Sequence, residues 1–104
     1  MKNLLEEAKK YEDEIISARR YFHQNPELHI NLPLTTKYVM HKLTEYGYDP
    51  KEICQSGVVA IAGGKKPGKT FLIRGDMDAL PIKEETNLEF KSTTGNMHAC
   101  GHDM

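Results

Sequence analysis

"GGKKPGKTFLIRGDMDALP", residues 63–81, can be read in two ways, and the choice decides the fold. Its first eight letters satisfy the phosphate-binding pattern G-x-x-x-x-G-K-[ST], in which a glycine-rich loop leads straight into a helix whose first N–H groups hold a phosphate. The residues after Lys69 are not helical in character. Thr70, Phe71, Leu72 and Ile73 favour β structure, and Gly75 and Pro81 fall before three helical turns could form. "KKPGK", residues 65–69, therefore reads as a lysine-rich turn between two strands, with Pro67 and Gly68 supplying its geometry. A P-loop nucleotide binder is the remote alternative.

Upstream, "GVVAIAGG" (57–64) supplies the partner strand, and "KTFLIRGDMDALP" (69–81) is predicted as the second. Before them the pattern is helical. Leu4, Ala8, Tyr11, Ile15, Ala18 and Phe22 recur at spacings of four and three, which predicts one helix capped by Asn3 and stopped by Pro26. "LTTKYVMHKLTEYG" (34–47) predicts another, capped by Thr35 or Thr36 and closed by Gly47. Downstream the chain is polar and loop-like, with one short strand expected at 88–91. The order is two helices, then strands, an α/β pattern.

The 104 residues fit one small domain, 1–104, long enough to bury a core and too short for two. With 14 Lys plus Arg against 15 Asp plus Glu, the charge is −1, and no basic footprint points to nucleic acid. The amino terminus lacks the apolar stretch of a signal peptide, and the longest apolar run is "VVAIA" (58–62), so a cytoplasmic protein with no membrane partner is expected. In a reducing compartment Cys54 and Cys100 are expected as free thiols or metal ligands.

The chemistry gathers in two places. "RGDMDALP" puts Asp76 and Asp78 directly after an apolar run. A spacing of two in extended chain directs both carboxylates to one face, suited to a metal ligand or to a group orienting one, and the same pair would also serve as caps or turn formers. "MHACGHD" offers His98, Cys100, His102 and Asp103, with His98, Cys100 and His102 alternating along one side of an extended segment and Gly101 permitting a tight bend. His98 would serve equally as a hydrogen-bonding neighbour. A structural zinc site brings two ligand pairs from separate segments, whereas one knot of ligands is visible here, leaving coordination positions open.

"RRYFHQNPEL" (19–28), "SGVVAIAGG" (56–64), "GKTFLIRGDMDALPI" (68–82) and "NMHACGHDM" (96–104) together carry a family resemblance over nearly the whole chain. It resembles the amino-terminal quarter of the metallo-amidohydrolases of the aminoacylase and zinc-carboxypeptidase clan, which include N-acyl-amino-acid amidohydrolases, hippurate hydrolases and auxin-conjugate hydrolases. The resemblance implies the amino-terminal portion of a zinc-peptidase-like catalytic domain of phosphorylase/hydrolase type, interrupted in the whole protein by a smaller dimerisation domain. It implies two divalent ions, zinc or manganese, with Cys100 and His102 as metal ligands. Asp78 is the implied orienting carboxylate, with Asp76, His98 and Asp103 near the site. Gly75 stands where alanine is common in the family, and "HINLPLTTKYV" (29–39) lacks the usual acidic residue after "PEL".

The family's paired glutamates, one of them the general base, and its later histidines lie beyond the "GHDM" motif. The implied reaction is hydrolysis of an N-acyl amino acid or short peptide by a metal-activated water, in a parent protein that forms a homodimer. The competing reading, and the expectation for the 104 residues alone, is a catalytically inactive fragment that binds metal weakly or not at all.

Overall fold

The computed structural model describes residues 3–104, and among them three helices precede one hairpin. Helix α1 spans Leu4–Lys9, α2 Glu12–Gln24 and α3 Pro33–Glu45; β1 (Lys51–Ile53) and β2 (Gly57–Val59) pair antiparallel with Glu52 opposite Val58. The order is helices before strands, as the pattern predicts, with several boundaries moved.

The single helix expected over 4–22 is two. Asn3 does cap the start, its side chain accepting from the Leu5 N–H, but α1 buries no residue and nothing holds it in register with α2. Glu12, Asp13 and Glu14 then open a new helix, where negative charge suits the positive end of the dipole. Neither threonine caps α3. Pro33 takes the first turn, Thr35 and Thr36 are buried, and the cap comes from Glu27, whose carboxylate accepts from the N–H groups of Leu34 (3.1 Å) and Thr35 (2.6 Å). Gly47 ends the segment with φ 91°, the left-handed conformation expected of it.

Aromatic packing joins α2 to α3. Tyr21 stacks on Tyr38 with centroids 4.1 Å apart, and Phe22 meets the same ring edge-on at 5.1 Å. The hairpin docks through Ser56, whose hydroxyl donates to the Ile30 carbonyl (2.8 Å) and accepts from the Leu32 N–H (3.1 Å). Gly57 is obligatory beside it, because a Cβ there would lie 2.5 Å from the Ile53 carbonyl oxygen.

The strand predicted over 69–81 does not form, and β2 stops at Val59. Phe71, Leu72 and Ile73 are 84, 90 and 94 % exposed. A strand needs a partner for its backbone groups, and none of the described residues supplies one. No helix follows Lys69 either, which removes the phosphate-binding reading. Only the end of the stretch is fixed: the Ala79 N–H donates to the Glu27 carbonyl (2.7 Å), and Leu80 exchanges two 2.9 Å backbone bonds with Met97. Residues 88–91 form a turn rather than a strand.

The expected core is thin in apolar side chains. Leu32 and Ala79 are buried, yet so are His23, Thr35, Thr36, Ser56, Glu84, Ser92 and His98. Because the Glu27 cap satisfies two N–H groups that have no helical partner, Glu27→Ala is expected to cost about 1–2 kcal/mol in urea unfolding followed by helical ellipticity, with Glu27→Gln intermediate. An unchanged midpoint would remove this cap from the account of α3.

Candidate metal centre

The two chemistry-bearing segments are brought together by one backbone tie. Leu80 and Met97 pair across an antiparallel bridge, so Asp78, two residues before one, and His98, next to the other, are carried into the same region. Gly101, with φ 79°, then turns the chain so that Cys100 and His102 face it from a short bend. Asp76, Asp78, His98, Cys100 and His102 line a shared cavity of about 210 Å³.

Within it one contact is direct. His102 Nδ1 lies 3.0 and 3.1 Å from the two carboxylate oxygens of Asp76. A carboxylate on Nδ1 fixes the ring's orientation and leaves Nε2 as the free nitrogen, the arrangement that prepares an imidazole to ligate a cation. The spacing of the two aspartates leaves that role open between them and the family resemblance implies Asp78 for it, whereas the observed contact is with Asp76. Asp78 stands next to Ala79, whose backbone is tied to Glu27, and Asp76 lies two residues further from that anchor.

Cys100 and Cys54 are both free and exposed, in keeping with thiols rather than a disulfide. Among the described residues no three His, Cys, Asp or Glu side chains converge tightly enough to hold an ion by themselves. The alternation along 98–102 therefore does not produce a finished ligand set. The donors present do fit a divalent ion as part of a shell, with a thiol, an imidazole already oriented by a carboxylate, and His98 Nε2 buried without a partner. His98 is 6 % exposed, and burial pushes its pKa down against the opposing charges of Asp103 and Asp78.

Asp103 is engaged elsewhere. Its Oδ2 is 2.8 Å from His23 Nδ1 and 3.3 Å from Arg19 Nε, with its side chain fully buried. The other face of His23 lies 2.9 Å from Glu84 Oε1, off the line of the ring N–H. Glu84 also accepts from the Ser92 N–H (2.8 Å) and the Thr86 hydroxyl. Phe90 lies near the Arg19 and Arg20 guanidinium groups at 5.4 and 4.7 Å. Sequence patterns assign no role to Arg19, His23 or Glu84. The available signal is that "RRYFH" interleaves cations with aromatics on a helix that ought to present apolar residues.

Three helices and an antiparallel hairpin, with this imidazole–carboxylate pair at a loop junction, make an α/β arrangement that carries a candidate metal centre. Residues 72–104 match the model of Peptidase family M20/M25/M40. The chain is 44 % identical to thermostable carboxypeptidase 2 of Saccharolobus solfataricus over 99 % of its own length and 27 % of that protein. It is 44 % identical to hippurate hydrolase of Campylobacter jejuni, covering 97 % of itself and 27 % of the relative. The solved Bacillus subtilis YXEP protein, a dinuclear metal binding peptidase of the M20 family, superposes with TM-score 0.85 at 41 % identity, over 91 % of this chain and 27 % of that one. The chain is thus similar to proteins of the M20 family and spans about a quarter of the length of the relatives it matches.

The Glu84 contacts set a pH dependence. Burial alone would raise its pKa, but the Ser92 N–H, the Thr86 hydroxyl and His23 outweigh it and hold the carboxyl below the ordinary value. A depressed folded-state pKa contributes stability that is complete above the unfolded value, about 4.3, and is lost as pH falls through the folded one. Glu84→Gln is expected to flatten the acid side of a urea-midpoint profile below about pH 4.3, and an unaltered slope would count against this assignment.

Proposed function

We propose that the whole protein is a metal-dependent hydrolase that cleaves the amide bond of N-acyl amino acids or short peptides, using two divalent ions of zinc or manganese. The observation that carries this reading is the Asp76–His102 contact beside Cys100. Cys100 and His102 would hold an ion, and Asp76 orients His102 by accepting from Nδ1–H. Asp78 and His98 flank the ligands, while Asp103 holds the adjoining backbone through His23 and Arg19.

When bound, such ions supply a nucleophilic water near neutral pH and stabilise negative charge on the attacked carbonyl oxygen. The chain's own residues do the preparatory work. Accepting from Nδ1–H, Asp76 would leave Nε2 of His102 with a lone pair for the ion, and the exposed Cys100 would hold it as a thiolate. The fragment of site seen here leaves the base and remaining ligands to be provided from elsewhere in the whole protein. Catalytic silence of the 104 residues alone is part of this reading, and so are the cytoplasmic location and the homodimeric state of the parent. No helix among the described residues is long and apolar enough to cross a membrane.

The test is hydrolysis of a panel of N-acetyl and N-benzoyl amino acids by the whole protein with Mn²⁺ or Zn²⁺. Turnover is expected, with loss of about 10–100-fold on Asp76→Ala and greater loss on Cys100→Ser or His102→Ala, from the cost of removing ligands and their orienting partners. Activity that survives both chelation and Cys100→Ser would refute the metal mechanism.

A further inference from the structure

His102 is held from two sides, and the two holds are unlike. Its ring meets Asp76, and its backbone runs directly into Asp103, whose carboxylate meets His23. Among residues 61–78, which include Asp76, no backbone group is bonded to another, so Asp76 orients the ring without fixing where the backbone lies. His23 is 2 % exposed and belongs to the 13 residues of α2, a rigid support.

The bend at 98–104 anchors itself weakly. Gly101 N–H donates to the His98 carbonyl (3.4 Å) and Met104 N–H to the Gly101 carbonyl (3.2 Å), both inside the bend. The polar ties to the remaining chain are the Leu80–Met97 bridge ahead of it, the Asp76–His102 contact, and Asp103. Asp103 Oδ2 takes His23 Nδ1 at 2.8 Å and Arg19 Nε at 3.3 Å, while Oδ1 is buried without a hydrogen-bond partner. Thr35 Oγ1 and His98 Nε2 border the same cavity of about 190 Å³ and are unpartnered too, so neither restrains the carboxylate through a hydrogen bond.

The two nitrogens of His23 are also unequal. Nδ1 makes the hydrogen bond to Asp103, whereas Nε2 stands 2.9 Å from Glu84 Oε1 but off the line of the ring N–H. Glu84 Oε1 meanwhile accepts from the Ser92 N–H within its own loop. We propose that His23 is a positioning residue for the metal centre and acts there through Nδ1 alone: its bond to Asp103 fastens the His102 backbone to α2, and the Nε2 side ties the 84–92 loop without bearing on ligation. The inference rests on the metal-site reading of Cys100 and His102. His23 lines neither the metal cavity nor its neighbour, so its action runs entirely through Asp103. A histidine that served only the fold would do so through either nitrogen.

Two amide substitutions in the whole protein separate the nitrogens. In His23→Asn the amide nitrogen stands where Nδ1 was, facing Asp103, and in His23→Gln it stands where Nε2 was, facing Glu84. Each variant is titrated with Co²⁺ under a phosphine reductant, the thiolate-to-cobalt charge-transfer band reporting Cys100, with thermal unfolding recorded in parallel. His23→Gln is expected to weaken cobalt binding about 10–100-fold, the usual penalty for losing a hydrogen bond behind a ligand, and His23→Asn to stay within about threefold of wild type. Equal affinities in the two variants, or affinities that merely follow the unfolding temperatures, would overturn the proposal while leaving the metal site intact. If neither variant folds, Arg19→Gln, which withdraws the guanidinium from the same Asp103 oxygen, is titrated in their place; a loss of about tenfold is expected and an unchanged affinity overturns the proposal. A wild-type protein that gives no charge-transfer band would instead defeat the metal-site reading, and this inference with it.

Discussion

One buried imidazole holds together segments that have no regular structure of their own. His23, on α2, is clasped by Asp103 from one side and Glu84 from the other, and each carboxylate belongs to a stretch without helix or strand. Apolar burial cannot perform this fastening, because Leu32 and Ala79 are the buried apolar pair in the core. Contacts of this kind are weak evidence of net stability when intact, yet removing one partner strands a buried charge, at about 3–5 kcal/mol. The clasp also determines where residues 98–102 lie. Asp103 follows His102 directly, so the position of His102 is set by the position of its neighbour.

Features governed by neighbouring residues were legible in the sequence. Asn3 caps α1 and Gly47 closes α3 because each acts on backbone a few residues away. Features governed by distant partners were not. Glu27 caps α3 from a loop, and nothing in the spelling of 33–36 shows that its threonines will be buried instead. The run at 71–73 has the composition of a strand, but composition describes a willingness to pair and names no partner. His23 and Asp103 are 80 positions apart, a separation no local pattern can encode.

The candidate site divides in the same way. Residue types in "DMDALP" and "MHACGHD" pointed to candidate metal ligands, and the structure gathers Asp76, Asp78, His98, Cys100 and His102 around one cavity. Spacing alone could not say which aspartate meets which histidine, since that depends on the Leu80–Met97 bridge and on Gly101. Relatives of about four times the length share this fold with TM-scores of 0.85 and 0.89, so the geometry of the quarter is compatible with that of the whole.

The bare run Phe71, Leu72 and Ile73 has a colloidal consequence. Three large apolar side chains with strong β preference, left open to solvent, form a template for pairing between molecules. Lys65, Lys66 and Lys69 precede the run and Arg74 closes it, with no acidic residue between 56 and 75. Like charges brought together by stacking would repel, so these cations act as gatekeepers along the sticky segment. Salt screens that repulsion while leaving hydrophobic attraction untouched, which makes ionic strength the variable that governs how long the chain stays dispersed.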